Sequence, residues 1–152
     1  MVVEAICEPA TFTTRVETTR FGVLEIPEAD QVTLIHGLLG FERHRAFCFF
    51  AHAPGSPFIW LQSMEDPALA FVTVNPFDFF AEYDIEISES DAAEIGLVHV
   101  RDAMLCTLVT INDHDVTTNL VGPVIINTEN GRGKQVVLTN SPYGTRHSIS
   151  RV

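Results

Sequence analysis

The stretch NTENGRGKQVVL, residues 127–138, places an Asn-Gly pair between two apolar runs, and this arrangement decides the fold class. Asn130-Gly131 in that setting is a strong hairpin signal, because a type I′ turn needs positive φ at both central residues. A two-residue loop there predicts the cross-strand pairs Glu129–Arg132, Thr128–Gly133, Asn127–Lys134 and Ile125–Val136. The stretch is therefore predicted to be a β-hairpin with an opposite-charge pair beside its turn.

The same stretch contains a Gly-x-Gly-Lys cluster, which is similar to the end of a phosphate-binding loop. A Walker A motif requires Gly-x-x-x-x-Gly-Lys-Ser/Thr between a strand and a helix. With Gly133-Lys134 as its Gly-Lys pair, Thr128 takes the place of the first glycine and Gln135 that of the Ser/Thr. The segment that follows is a predicted strand, not a helix. The motif fails at three points, so the sequence argues against nucleotide binding.

Short segments with β character follow one another along the rest of the chain. They are TFTTRVE, RFGVLEIP, QVTLI, AFCFFAHA, FIWLQS, AFVTVNPF, EYDIEIS, AMLCTLVTI and VTTNLVGPVIINT. In the second of these the alternation breaks after Gly22, which indicates a bulge at Val23-Leu24. Pro123 indicates an edge or a bulge in the last one.

One segment, SESDAAEIGL, has helical features. Ser88 or Ser90 is its N-cap, acidic residues occupy its first turn, and Gly96 stops it. About eight or nine short strands with one short helix near 88–96 predict an all-β, mainly antiparallel fold. A closed or nearly closed small β-barrel, or a sandwich, covers the apolar residues that such strands have on both faces.

The length of 152 residues fits a single domain, predicted to span 1–152. Residues 1–10 and 143–152 are expected to be loosely ordered, with Tyr143 as an anchor. The net charge of −11, from 20 Asp+Glu and 9 Lys+Arg, repels a nucleic acid backbone and argues against direct RNA or DNA binding. The same charge permits a partner with a basic surface.

The three cysteines Cys7, Cys48 and Cys106 are far apart, which fits a reducing compartment without disulfide bonds. Cys48 and Cys106 lie in apolar runs and are predicted to pack as small hydrophobic residues. The N-terminus lacks the features of a signal peptide, and no apolar run approaches about 18 residues. The sequence therefore predicts a cytoplasmic protein that does not enter a membrane.

Signals for catalysis are missing from the sequence. The 6 histidines have no metal-ligand spacing with a nearby Cys or carboxylate, and no Gly-x-Ser-x-Gly motif occurs. The acids of EYDIEISESD are assigned to the solvent face of a strand and to the first turn of a helix. No catalytic residue, metal ligand or cofactor is predicted.

The segment NPFDFF, residues 75–80, has three Phe in a short space after a predicted strand. Two interpretations stay open at this point. The segment is either a core plug under a long loop or an exposed aromatic patch that marks a partner site.

Four stretches occur in one order along the chain: GLLGFERHRAF (37–47), SPFIWLQSMEDPALAFVTVNPF (56–77), VTTNLVGPVIINTENGRGKQVVL (116–138) and YGTRH (143–147). Together they resemble the flagellar assembly factor FliW family, over roughly residues 11–147. Two departures stand out. Leu39 occupies a position where the family usually has Pro, so a less rigid loop is expected, and Gly131 precedes Arg132 where the family often has a second base.

The resemblance implies a β-barrel-like protein that is not an enzyme and needs no cofactor. Family members bind the carbon storage regulator CsrA, a basic RNA-binding dimer that represses translation of flagellin messenger RNA. They also bind flagellin, which takes the factor away from CsrA as it accumulates. The resemblance thus implies a partner switch in a protein that is a monomer when free and binds neither nucleic acid nor membrane directly.

Partner-binding residues are expected in the family-like motifs and in the aromatic segment 75–80. They are Asn75, Phe77, Phe79, Phe80, Asn127, Arg132, Lys134, Gln135, Arg146 and His147. Each has a structural alternative: Asn127 as the cap of a ladder, for example, and Lys134 as an ordinary strand lysine. Two rival functions also stay open, a nucleic-acid-binding barrel and a small acidic barrel that binds or converts an unknown small molecule.

Overall fold

The computed structural model describes residues 12–149. Its strands are β1 Thr13–Thr18, β2 Gly22–Pro27, β3 Gln31–Leu34, β4 Ala46–Ala51, β5 Ile59–Ser63, β6 Ala70–Val74, β7 Ala103–Ile111, β8 Val116–Thr118, β9 Val124–Asn127, β10 Arg132–Gln135 and β11 His147–Ser148. The α-helix, α1, is Glu89–Glu94. No helix within 12–149 is long and apolar enough to cross a membrane. The expectations for residues 1–10, including Cys7, and for 150–152 lie outside the described residues.

Seven strands form a closed ring in the order β7-β6-β5-β4-β3-β10-β9, and β9 pairs back with β7. Every neighbouring pair is antiparallel except β3 with β10, which is parallel. Outside the ring, β8 and β11 continue from β7, and β1 with β2 forms a separate hairpin. The predicted all-β, mainly antiparallel barrel with one short helix is therefore confirmed.

Side chains of the ring alternate between an apolar interior and the outer surface of the barrel, because successive residues of a strand point to opposite sides. In β4, Phe47 belongs to the interior cluster, and its neighbour Cys48 packs outward against the β1–β2 hairpin. The rest of the buried interior cluster is Val32, Leu34, Leu38, Leu61, Cys106, Val124 and Ile126. A long connection, residues 75–102, joins β6 to β7 and contains α1.

Cys48 and Cys106 are both buried, as predicted for small packing residues. Burial raises the pKa of the Cys48 thiol to about 11, with a further contribution from the charge of Asp30. Burial likewise raises the pKa of Cys106 to about 12. Both thiols therefore stay protonated at neutral pH and behave as apolar side chains.

The bulge predicted at Val23-Leu24 is wrong. The β1–β2 register runs without interruption from Thr13 opposite Pro27 to Thr18 opposite Gly22. Leu24 packs against the Val16 cluster, whereas Val23 is half exposed to solvent. The break in alternation comes from this exposed valine and not from an extra residue.

The β9–β10 hairpin forms where the sequence predicts it, but its two-residue loop is wrong. Lys134 pairs with Ile125, and Asn127 pairs with Arg132, so the loop has four residues. The Asn127 carbonyl accepts a hydrogen bond from the Gly131 amide at 2.8 Å and thereby closes a wider turn. Gly131 has a positive φ of 73° but Asn130 does not, and a type I′ turn needs both.

This shift of two residues keeps each strand side chain on its predicted face, since the side-chain period of a strand is two. The predicted ion pair between Glu129 and Arg132 does not form, because both residues now lie in or beside the wider turn. The backbone of β10 continues past its end, with Val136 and Leu138 donating to the carbonyls of Pro123 and Val121.

The segment EYDIEIS is not a strand, contrary to the prediction. Tyr83 is buried, Ile85 and Ile87 are half-buried, and the residues between them are exposed. The alternation in the sequence therefore reports one packed side and one solvated side of the segment. The alternation does not indicate a neighbouring strand, and within residues 12–149 this segment forms no β-ladder.

Residues 143–149, expected to be loosely ordered apart from Tyr143, are held against the barrel. His147 and Ser148 pair with Thr118 and Thr117 of β8. Ile149 is buried, and its amide donates to the Val116 carbonyl at 2.9 Å. The short β11 strand thus extends the sheet beyond β8, next to the aromatic segment 75–80.

Candidate partner-binding site

Asn127 has a structural role in this fold. Its side chain is 2% exposed, its Nδ2 donates to the Ile95 carbonyl at 3.0 Å, and its Oδ1 accepts from the Glu129 amide. It therefore joins the segment after α1 to the β9–β10 turn. This arrangement corresponds to the structural alternative for Asn127.

Lys134 is not free on the surface, because its ammonium contacts two carboxylates of α1. Nζ lies 2.6 Å from Asp91 Oδ1 and 3.1 Å from Glu94 Oε2, and the Lys134 side chain is only 12% exposed. Glu94 also contacts His36 Nε2 at 2.5 Å. These four side chains, His36, Asp91, Glu94 and Lys134, are called the Lys134 cluster below.

Hydrogen bonds shift the pKa values of Asp91, Glu94 and Lys134 in this cluster. The bond from Lys134 is the main cause that lowers the pKa of Asp91. For Glu94, the hydrogen bond with His36 is the largest cause of its lowered pKa, followed by that with Lys134. Burial alone lowers the pKa of Lys134, but the two carboxylates outweigh it and raise that pKa. The cluster therefore fixes α1 on the outer face of β10.

Gln135 and Arg132 differ in their surroundings. Gln135 Oε1 accepts from the Leu39 amide at 2.9 Å, and its Nε2 donates to the Gly122 carbonyl at 3.0 Å, so it joins three segments. Arg132 is exposed and binds the turn only through its backbone amide, which donates to Asn130 Oδ1. Arg146 is likewise exposed.

The aromatic segment 75–80 is partly buried and partly exposed. Asn75 Oδ1 accepts from the Phe77 amide at 3.0 Å, which shapes a short 3₁₀ turn. Pro76 is buried beneath that turn, whereas Phe77 is 46% exposed. Phe79 and Phe80 are half-buried. The segment therefore buries its proline and presents Phe77 to solvent.

Five rings bring distant predicted residues together. Phe77 contacts Tyr83 with ring centroids 5.8 Å apart, and Phe80 contacts His147 at 5.8 Å. Tyr143 lies between these pairs, 4.7 Å from Tyr83 and 6.2 Å from His147. Tyr83 also donates from its hydroxyl to the Leu120 carbonyl at 2.7 Å. Burial, first of all, raises the pKa of this hydroxyl, so it stays protonated as a donor.

An apolar groove of about 540 Å³ opens beside this aromatic cluster. Its apolar lining includes Phe77, Ile85, Ile87, Leu97, Val98 and Val100. Val98 and Val100 are 81% and 80% exposed, which is unusual for branched apolar side chains at one place. We call it the Val98 groove. The signal for it in the sequence is the short run Val98-His99-Val100, which lies between the predicted helix and the next predicted strand.

The Val98 groove has acidic surroundings. Asp84 and Glu86 contribute to its lining, and both are exposed. The sequence contains no Lys or Arg between Arg45 and Arg101. A second depression, of about 940 Å³, lies on the other side of segment 75–80 and includes Phe79 and the polar turn 112–115. The lining of this second depression is more polar than that of the Val98 groove.

The family model described as FliW protein matches residues 14–149. The chain belongs to the FliW family. It is 40% identical over 125 residues to the flagellar assembly factor FliW of Magnetococcus marinus, which covers 80% of this chain and 77% of that one. It is 38% identical over 137 residues to the FliW of Heliobacterium modesticaldum, covering 89% and 90%. A crystal structure of the flagellar assembly factor FliW superposes with a TM-score of 0.82 at 34% identity, covering 91% and 98%.

The two departures from the usual FliW pattern have visible consequences in this structure. Leu39 donates its amide to Gln135, a bond that the usual FliW proline has no N–H to make. That bond tethers the loop of Leu39 to β10. Gly131 has a positive φ of 73°, a backbone conformation that disfavours a residue with a side chain at this position.

Replacing Lys134 with Met in this FliW chain is expected to lower the free energy of unfolding by about 1 kcal/mol, because it removes the partner of Asp91 and keeps the aliphatic stem. The folded-state pKa of Asp91 is depressed, so its contribution is present above the ordinary value of 3.8 and is lost as the pH falls below it. Urea unfolding at neutral pH and at acid pH measures both effects. In the Lys134→Met variant, the free energy of unfolding is expected to decrease less between neutral and acid pH than in the unsubstituted protein.

The matched control for Lys134→Met is Arg132→Met, which removes an exposed base from the same strand without breaking an ion pair within residues 12–149. We expect no measurable change in stability from this control. Equal effects of the two substitutions at neutral pH would contradict the assigned role of the Lys134 cluster.

Proposed function

We propose that this FliW-family chain works in flagellar assembly as a non-enzymatic, protein-binding regulator. It binds CsrA, which relieves repression of flagellin messenger RNA, and flagellin competes by binding the same factor. This exchange takes place in the cytoplasm, where CsrA meets messenger RNA. The single observation that best supports a protein-binding role is the Val98 groove with its acidic surroundings.

The Val98 groove has the arrangement of residues that protein–protein interfaces commonly use. Binding energy at interfaces concentrates in aromatic and apolar anchors that are surrounded by polar residues, and Phe77 beside Val98 and Val100 has that arrangement. An apolar surface that remains exposed in a soluble domain commonly marks a contact site. The groove therefore offers apolar contact for a partner, and Asp84 and Glu86 offer charge contact.

The shifted titratable groups support a binding role over a catalytic one. Within residues 12–149, the carboxylates with lowered pKa are Glu42, Glu65, Asp91 and Glu94, and each is engaged by backbone amides or by the Lys134 cluster. Of the groups with raised pKa within these residues, Cys48, Cys106 and Tyr83 are buried in the fold, and Lys134 is held by Asp91 and Glu94. These shifts are accounted for by folding contacts. The depression that reaches the interior cluster at Val32, Cys106 and Ile126 is about 290 Å³, smaller than the Val98 groove.

The acidic surface suggests how CsrA would release RNA. A docked protein with a net charge of −11 adds negative potential near the basic surface to which RNA must come. At physiological salt this effect extends over about one Debye length of ~8 Å, so it can oppose RNA without covering its binding site. Release of RNA is therefore expected to weaken as the salt concentration rises.

Isothermal titration of the protein against the CsrA and the flagellin of its own host tests the proposed function. We expect heat with each partner, and we expect flagellin, added to the CsrA complex, to displace CsrA. The absence of heat with both partners would refute the proposal. Binding of both at once, without displacement, would remove the partner switch and leave the binding role.

A charge-neutralised variant tests the electrostatic part separately. Asp84→Asn combined with Glu86→Gln is expected to slow association with CsrA by severalfold at low salt, since rim charges act mainly on association rate and its salt dependence. The matched control, Asp113→Asn with Asp115→Asn, changes charge equally in the polar turn 112–115, away from the Val98 groove. Equal effects of the two double variants would show that only total charge matters.

A further inference from the structure

Residues 84–88 have the sequence of a strand, but no strand within residues 12–149 pairs with them. Ile85 and Ile87 face the protein, Asp84 and Glu86 face solvent, and this period of two is that of an extended chain. The segment leads directly into Ser88, whose backbone is extended at φ −67° and ψ 156° and whose hydroxyl caps α1. It is an unpaired strand in an otherwise paired fold.

The backbone of this segment is free of hydrogen bonds over several residues. The Asp84 amide donates to the Tyr143 hydroxyl at 3.0 Å, and the Ser88 carbonyl accepts from the Ala92 amide. Between these two ends, the amides of residues 85–88 and the carbonyls of residues 84–87 have no hydrogen-bond partner within residues 12–149. Consecutive free donors and acceptors are what a strand edge offers to another chain.

The space beside the segment is suited to a peptide. The Val98 groove runs along it and is lined by Leu97, Val98 and Val100 on its other wall. A third depression, of about 770 Å³, lies between the segment and residues 136–143, and its lining is more polar than that of the Val98 groove. Apolar side chains of an added strand therefore find their pocket on the side of the Val98 groove.

The charge around the segment restricts the partner. Glu82, Asp84, Glu86 and Glu89 follow one another along and beside it, and the nearest base in the sequence on either side is Arg45 or Arg101. An incoming strand with acidic residues would be repelled, whereas Lys or Arg at its solvent-facing positions would lie near these carboxylates. Complementary charge therefore selects a basic, apolar peptide.

We propose that residues 84–88 are a docking edge for an extended segment of a partner protein, with apolar residues at alternate positions and Lys or Arg between them. The added strand pairs with the free backbone, places its apolar side chains in the Val98 groove, and directs its bases to Asp84 and Glu86. Main-chain bonds then supply affinity and the groove supplies selectivity. This deepens the proposed function and rests on it only in that the ligand is a protein.

Hydrogen exchange on the full chain tests the edge directly. The probe is an acetylated and amidated peptide of about seven residues with alternating Lys and Val. The amides of residues 85–88 are expected to exchange rapidly in the free protein and to slow at least about 10-fold with the peptide bound. A control peptide with N-methylated backbone amides keeps the side chains and is expected to give no protection. Unchanged exchange at 85–88 with the unmethylated peptide would overturn the proposal.

Proline substitution tests the same edge by affinity. The amides of Glu86 and Ile87 point to opposite sides of an extended chain, so only one of them faces the added strand. Glu86→Pro and Ile87→Pro are each compared with Ala at the same position, which isolates the loss of the amide. One Pro variant is expected to bind the Lys-Val peptide at least about 10-fold more weakly than its Ala counterpart, at unchanged melting temperature. No difference at either position overturns the proposal.

Titration of these Pro variants with CsrA and flagellin separates failure of the edge from failure of the proposed function. If the unsubstituted protein binds CsrA or flagellin and both Pro variants bind equally well, the docking edge is wrong and the proposed function stands. If the unsubstituted protein binds neither, yet the Lys-Val peptide protects residues 85–88, the proposed function is wrong and the edge stands.

Discussion

Replacing Phe47 with Ala is expected to lower the free energy of unfolding by about 3–5 kcal/mol, the largest effect of any substitution considered for this fold. Phe47 is 0% exposed and lies in β4, inside the ring. Its ring lies 6.3 Å from that of Phe71 on β6, with β5 between the two strands. The loss has two parts, the apolar surface of the ring and the cavity that the surrounding strands cannot close.

Urea unfolding followed by circular dichroism measures this loss. The control is Phe12→Ala, which removes the same group from a side chain that is 70% exposed. We expect the control to change stability by less than about 0.5 kcal/mol. A Phe47→Ala variant as stable as the Phe12→Ala variant would contradict the assignment of Phe47 to the barrel core.

Replacing Gly133 with Ala is expected to cost about 3 kcal/mol, by a different mechanism, overpacking at the closure of the ring. An added Cβ would lie 2.7 Å from the Ile125 carbonyl oxygen and 2.6 Å from Ile126 Cδ1. A side-chain methyl can rotate away, but the Ile125 carbonyl belongs to the β9 backbone. Because β10 must fit between β9 and β3, a displaced β10 also weakens its pairing with Leu34.

Gly144→Ala is the matched control for this prediction, since the nearest atom to its added Cβ is His147 Nε2 at 3.8 Å. Thermal unfolding of both variants measures the difference, and Gly133→Ala is expected to melt well below the control. Similar melting temperatures would show that β10 can move outward without cost. The assignment of Gly133 to the closure of the ring would then be wrong.

Local patterns in the sequence predicted what is local in the structure. Ser88 caps α1 as expected, because its hydroxyl accepts from the Asp91 amide only three residues away. The strands that end at Pro27 and before Asn75-Pro76 also end as predicted. The hairpin register was wrong because the side chain and carbonyl of Asn127 close a wider turn, which a preference for Asn-Gly does not reveal.

Contacts between residues that are far apart in the sequence could not be predicted from local patterns. Lys134 meets Asp91 across 43 residues, and nothing in either motif indicates the other. The exposure of Val98 and Val100 depends on the absence of a covering element, whereas their apolar character alone suggested burial. The alternation of EYDIEIS correctly indicated one packed side but had no bearing on whether a second strand lay next to it. The family-like motifs identified the chain without showing that Asn127, Lys134 and Gln135 hold the scaffold.

The parallel pairing of β3 with β10 has a consequence for how the chain acquires its shape during synthesis. Thr33 and Leu34 meet Arg132 and Gly133, which are synthesised only after strands β4 to β9. Until then the ring is an open sheet whose edges at β3 and β9 lack their partner β10. Such long-range closure makes folding slow and leaves nascent chains prone to association. The growing polypeptide is therefore expected to need protection of those two edges until β10 has been synthesised.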